Sequence, residues 1–373
     1  MRENEYLEGM PHRTWMAARP GWTFSSARLR VLGLLLLACV GVGCPCVRGA
    51  VNASPGLRWW LFSNFGAQRM CPEMLKRGAP LKLSPDGNTI GRFFPTRCHH
   101  DVNDASQTVT IHFGGSGYAW TPVAGRVGFS VDASVEYAMD FYMAEEAIYI
   151  WARTRRIVYG PEFKIGSVEN KVVDWAARSP AGYLASNFGG QIVQGQLSDG
   201  FTVVHGDDGD EFTLGILQPP ARPKRPFATS HGDRYVFANE ATDVRYDQVD
   251  FLGPFEIASA DQALFLRMRV NGPPVDVFVI DRGNGDLWRE GMQQGQRLGP
   301  PPQPPITGFV LQPGQELKQR IKLPPAQFYV IIDNSSRMGA VSPPWNPLAA
   351  LGTANMASVA YTAELGEDDD DDF

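Results

Sequence analysis

The chain has 373 residues, 43% of them hydrophobic and 20% charged, which excludes a disordered protein and is long enough for two ordinary domains. A formal net charge of −6 with only short basic clusters weighs against nucleic acid as a partner, because phosphate binding needs a concentrated basic surface. The 39 glycines and 29 prolines, set among many short apolar runs, favour turn-rich β architecture over long helices.

The polar N-terminal stretch ends at Arg28 and Arg30, which lead into an apolar run over 31–43. Positive charge, then apolar residues, then small residues is the layout of a secretory signal peptide. A membrane-spanning helix needs roughly 20 apolar residues, and this run is shorter and broken by glycines. Residues 1–43 are therefore read as a cleaved export signal, and initiation at Met16 would give it a more usual length. On Leu36-Leu37-Ala38-Cys39 and Gly41-Val42-Gly43-Cys44 the segment resembles the lipoprotein signal of bacteria, in which a small residue precedes a cysteine that becomes lipidated. The resemblance implies a lipid anchor at Cys44, with Cys39 as the alternative. It also implies a place in the bacterial cell envelope, on the outer membrane or its periplasmic face, with secretion as the other outcome. Lipidation at Cys44 leaves Cys46 unpaired, whereas lipidation at Cys39 leaves an even number of cysteines. In either case Cys71 and Cys98 are read as a disulfide, closing a loop rich in proline and glycine. In the chain-entropy model such a closure stabilises by about 3–4 kcal/mol in an oxidising space.

Residues 44–56 read as a tether, and 57–218 as an α+β domain with an antiparallel sheet. Its strands are expected at 108–113, 126–137 and 147–151, rich in β-branched and aromatic residues. In the second, Val127, Phe129, Val131, Ala133 and Val135 alternate with Gly128, Ser130, Asp132 and Ser134, the pattern of a half-buried strand. Ser167 suits the N-cap of a helix holding Val168, Val172, Val173 and Trp175. A second helix would set Leu184, Phe188 and Ile192 on one face, as candidate contacts for an apolar ligand under a curved sheet. Two β-rich runs, 201–205 and 211–217, flank Gly206-Asp207-Asp208-Gly209-Asp210 and form a hairpin. The proline-rich stretch 219–226 then reads as a stiff linker.

Residues 227–365 are expected to form a β-sandwich with strands at 263–270, 275–281 and 327–333. Turns are expected at Asn271-Gly272-Pro273-Pro274 and Gly283-Asn284-Gly285, and 300–305 is a proline-rich surface loop. The run Phe328 to Ser335, followed by 357–364, resembles the end of jelly-roll-like extracellular accessory domains, and the resemblance implies fold alone. Residues 366–373 form an acidic tail, expected to be solvated. The fold class is therefore mainly β with some α: an antiparallel sheet plus helices first, a jelly-roll-like sandwich second.

Candidate sites are few. Cys98-His99-His100-Asp101, with Asp104 and His112, gathers metal-ligand types, but adjacent strand residues point oppositely, so no metal site is assigned. Asp207, Asp208, Asp210 and Glu211, and likewise Asp281, Asn284 and Asp286, offer oxygens for calcium without the spacing of a calcium loop, and turn chemistry accounts for both. Gly114-Gly115-Ser116-Gly117 lacks the last glycine of a hydrolase elbow and the lysine of a phosphate loop, and reads as a flexible turn. Trp59, Trp60, Tyr118 and Trp120 are aromatics suited to core packing, sugar stacking or lipid headgroups. No catalytic residue, cofactor or metal is assigned. The expectation is a non-enzymatic, membrane-anchored envelope protein that binds or scaffolds a protein or lipid partner. The alternatives are a carrier of lipid or another hydrophobic ligand, and a hydrolase with an accessory sandwich.

Overall fold

The computed structural model describes residues 45–84, 87–121, 125–169, 198–229, 234–296, 299–343 and 355–368. The expected export segment, Cys39 and Cys44, and the expected helical face of Leu184, Phe188 and Ile192 lie outside the described residues. Contacts divide the chain into two units, Met1–Ala50 and Val51–Phe373, and the second holds every described strand.

Much of the stretch expected as tether and cysteine loop is helical. Helix α1 covers Pro45–Ala53, α2 Pro55–Leu61, a π-helical turn Phe62–Gly66, and α3 Ala67–Lys76. Ser54 caps α2 by accepting from the Leu57 N–H, with Pro55 in the first turn where its missing donor costs nothing. In α3, Ala67, Met70, Cys71 and Met74 follow the i, i+3, i+4, i+7 spacing and turn one apolar stripe onto the sheet. Pro72 inside this helix removes a backbone bond. The Cys71–Cys98 disulfide, with Cα atoms 5.3 Å apart, ties α3 to the neighbouring strand.

The strands are β1 Ala79–Lys82, β2 Thr89–Asn103, β3 Thr108–Thr121, β4 Gly125–Met143, β5 Ala147–Val168, β6 Phe201–Gly206 and β7 Gly209–Leu214. They form an antiparallel meander, and the expected 201–217 hairpin is β6–β7, turning at Asp207-Asp208. The alternation read in β4 holds, with Phe129, Val131, Ala133 and Val135 all buried. Strand β8, Tyr235–Val244, pairs with β7 at Gly209↔Val236 and with β2 at Thr89↔Thr242. These two pairings close β2 to β8 into a ring.

Two expectations fail within this half. Gly114 to Gly117 is no turn but the middle of β3, where a Cβ on Gly115 would sit 2.2 Å from the Phe94 carbonyl oxygen across the ladder. Ser167 caps no helix. It lies in β5, where its hydroxyl donates to the Gln293 carbonyl at 2.7 Å.

The remaining strands are β9 Gln248–Ile257, β10 Gln262–Asn271, β11 Val275–Asp281, β12 Thr307–Leu311, β13 Glu316–Lys322, β14 Ala326–Asn334 and β15 Ala357–Glu367. The order β8-β15-β10-β13 faces β12-β11-β14-β9, which is the eight-stranded jelly roll. Its core interleaves alternate residues of both sheets: Leu264, Leu266 and Val359 from one, Val277, Val330 and Ile332 from the other, each without accessible surface. The expected turn at Gly283-Asn284-Gly285 begins helix α4, Arg282–Gln293, capped by the Asp281 carboxylate accepting from the Asn284 N–H at 3.0 Å. Gly285 is required there because Tyr329 packs 2.2 Å from where its Cβ would be. The acidic tail starts later than expected, since β15 runs to Glu367 and Asp368 pairs with Lys322.

The stretch 219–226 does not separate two domains. Phe94 and Tyr118 of the meander pack with Phe251, Trp288 and Tyr329 of the sandwich in one buried aromatic cluster, and β8 serves both halves. The proline-rich segment is a strap on the ring surface. Arg225 holds Asp208 at 2.9 Å and Glu211 at 2.5 Å, and Arg222 holds Glu211 at 3.4 Å.

Candidate ligand cavity

A sheet curled on itself must fill its interior with side chains or enclose space. Here it encloses a cavity of about 550 Å³, within the size range of small-molecule sites. The inward-facing positions follow the two-residue period of each strand: Ile111 and Phe113 from β3, Phe129 and Val131 from β4, Phe201 and Val203 from β6. Helix α3 covers one side with Met70 and Met74, flexible side chains that adapt to irregular apolar shapes. Phe255 and Tyr361 of the sandwich close the inner end.

That inner end rests on a buried ionic network. Arg92, 2% exposed, directs its guanidinium to Asp250 at 3.0 Å, Glu240 at 3.0 Å and the Tyr361 hydroxyl at 3.1 Å. Asp250 also accepts from the Tyr118 hydroxyl at 2.6 Å and from the Thr242 hydroxyl at 2.8 Å. Burial opposes charge on Asp250, yet the adjacent guanidinium and these hydroxyls hold its carboxyl below the usual range. Burial, reinforced by the Asp250 charge, raises the Tyr118 hydroxyl.

The cavity opens between α3, the β6–β7 hairpin and the strap, where Arg69, Glu73, His205, Phe212 and Lys224 are exposed. His205 bonds Asp210 through Nδ1, which raises its pKa against the opposing effects of burial and of Arg69. The Tyr235 hydroxyl donates to the other oxygen of Asp210 at 3.3 Å.

The residues singled out in the sequence fall into separate places. Cys98 is consumed by the disulfide, and Asp104 accepts from the buried Trp59 indole at 2.9 Å. Asp208 and Glu211 hold the strap while Asp210 holds His205. Asp281 caps α4, and Asp286 accepts from Arg289 at 3.1 Å and the Tyr329 hydroxyl at 2.7 Å. No group of three or more His, Cys, Asp or Glu among the described residues is arranged to hold a metal ion. Tyr118 is buried, Trp120 stacks under Arg245, and Trp60, 46% exposed, meets Phe65, 62% exposed, edge-on at 5.9 Å.

On the opposite face of the meander, register aligns His99, His112 and Ser134 across β2, β3 and β4. His112 Nδ1 lies 2.7 Å from Ser134 Oγ, and its Nε2 lies 3.0 Å from Asp101, whose carboxyl this bond lowers. The order Asp-His-Ser is that of a hydrolytic relay. However, His112 and Asp101 are 40% and 63% exposed, and the row lies outside the cavity. Among the described residues, nothing on that open strand face seats an acyl group or excludes water. Sequence reasoning missed this row because its members meet only through cross-strand register, which is not local information. It also missed α3 as a cavity wall, although the 67, 70, 71, 74 spacing was legible.

The chain matches no protein-family model and no curated protein. Among the described residues no helix is long and apolar enough to cross a membrane.

Proposed function

We propose that this is an exported envelope protein, held at a membrane by lipidation at Cys44, that binds a hydrophobic ligand inside its curled sheet. The observation that carries the reading is the apolar cavity of about 550 Å³ that α3 and the sandwich help to enclose. Protein interiors are ordinarily close-packed, so an apolar space of this size that opens at one mouth supports a binding site over a packing fault. This favours the carrier reading over scaffolding. The exposed pair Trp60 and Phe65 supports a membrane as partner, because such rings partition to the headgroup level of a bilayer.

Native mass spectrometry of gently purified protein tests the ligand: a bound small hydrophobic species is expected, and its loss is expected in Val203→Trp, which fills the cavity. An empty wild-type protein that also fails to take up added lipid would overturn the reading. Metabolic labelling with a lipid precursor tests the anchor separately. Label is expected on the wild type and lost in Cys44→Ser, or failing that in Cys39→Ser, and an unlabelled wild type refutes anchoring.

A further inference from the structure

The charges around the cavity do not resemble those of the whole chain. The chain carries a net −6, yet six Lys or Arg and four Asp or Glu line this one space. Every acid there already has a cation. Lys76 sits 2.7 Å from Glu73, His205 bonds Asp210, Arg225 holds Glu211 at 2.5 Å and Arg92 holds Glu240 at 3.0 Å. Of the cations, Arg92 and Arg225 are used in these pairs, Arg77 donates to the Phe237 carbonyl, and Lys82 is also engaged. Two remain. Arg69 on α3 and Lys224 on the strap are both exposed at the opening, and neither makes an ion pair or hydrogen bond among the described residues.

We infer that the ligand is an amphiphile with a single anionic head, a carboxylate or phosphate monoester, whose chain enters the cavity while Arg69 and Lys224 receive the head at the mouth. The inference rests on the hydrophobic-ligand reading and adds the charge and position of the polar end. The two cations come from different elements and border the same opening. Arg69 presents the fork that matches an oxyanion, and Lys224 a mobile point charge. The strap that carries Lys224 is fixed to the hairpin by Arg222 and Arg225, so the lysine is held beside the opening at no cost in free chain. The inner end offers no rival site, since each nitrogen of the Arg92 guanidinium already has an oxygen partner.

The experiment compares palmitate with hexadecanol, equal in chain and different in head, on the full mature protein by fluorescent-probe displacement. The wild type is expected to bind palmitate about tenfold tighter than hexadecanol, the ratio that corresponds to one net charge-assisted contact. The double variant Arg69→Gln/Lys224→Gln, both surface positions, should lose that tenfold and keep its hexadecanol affinity and its thermal unfolding. Val203→Trp should weaken both ligands together. Equal binding of the two ligands by the wild type, or a double variant that still prefers palmitate, overturns the head-group assignment and leaves the cavity reading intact. Failure of either ligand to bind the wild type defeats the cavity reading itself. Inorganic phosphate serves as the control: displacement of palmitate by phosphate at the affinity of palmitate itself would mean that only a free anion is recognised, and the amphiphile would be ruled out.

Discussion

The two β halves solve the same problem in opposite ways. In the sandwich, two sheets lie face to face and each fills the other's grooves, so Leu264, Leu266, Val277 and Val330 have no accessible surface. In the ring, one sheet bends around itself, and its inward residues meet across a space they do not fill. Both halves use alternating apolar residues of similar type. What differs is whether the buried face has a second sheet to meet, and this decides whether the product is a core or a container.

The strongest way to break this comparison is at the junction. Arg92→Ala should cost about 3–5 kcal/mol, because Asp250 and Glu240 would be left buried without their cation. Chemical denaturation should show ring and sandwich unfolding together in the wild type, and a separated transition in the variant would mean the network holds the halves as one cooperative unit. Next in size, Leu264→Ala in the filled core should lose about 2–5 kcal/mol. Met139→Ala, whose side chain borders the cavity and so has fewer packing partners to lose, should stay near the lower end of that range, about 2 kcal/mol. Equal losses at the two positions would mean that the ring is as tightly filled as the sandwich.

A third measurement concerns a flaw in the sandwich. Burial pushes Asp333 up to about 7 from 3.8, with Ser335 offsetting part of the effect and Asp276 adding like charge. A carboxyl whose folded pKa is raised penalises the folded state progressively as pH climbs from about 4 to 7, and fully above that. Asp333→Asn should therefore gain roughly 2–4 kcal/mol at pH 8 and little near pH 4. A pH-independent difference in unfolding free energy would contradict that origin. The smallest effect on stability is expected from Trp60→Ser/Phe65→Ser, under about 0.5 kcal/mol because both rings are exposed. The same variant should bind lipid vesicles more weakly in a flotation assay, and unchanged flotation would remove these rings from the membrane contact.

The sequence was most legible where information is local. The alternation in β4 was visible as a period-two apolar pattern, and the β6–β7 hairpin and the runs that became β10, β11 and β14 as β-rich segments between turn residues, while β15 was met only through the jelly-roll resemblance. The Cys71–Cys98 disulfide was legible from the proline- and glycine-rich loop that it closes. Two kinds of feature were not. Glycine misled where close packing, rather than a turn, required it, against the neighbouring backbone at Gly115 in β3 and against the Tyr329 ring at Gly285 in α4. The proline-rich strap misled because composition reports stiffness and not docking, and only the partners of Arg222 and Arg225 reveal where it lies. The cavity itself belongs to neither element alone. It arises from closure of the ring, a property of how β8 returns to β2.

That return has a further consequence. Around most of its circumference the ring is held by ladders of six or more paired residues, as between β5 and β6 or β6 and β7. At β8 it is fastened on each side by a single paired residue, Gly209↔Val236 and Thr89↔Thr242, while β8 itself is secured along its length to β15. The circumference thus has a seam in its backbone pairing, which side chains bridge: Arg92 to Glu240 and Asn88 to Asp243 on the β2 side, and the Tyr235 hydroxyl to Asp210 on the β7 side. Closure of the container beside β8 therefore depends on side chains more than on a ladder, so loss of the Arg92 pair would loosen the ring where its backbone pairing is thinnest.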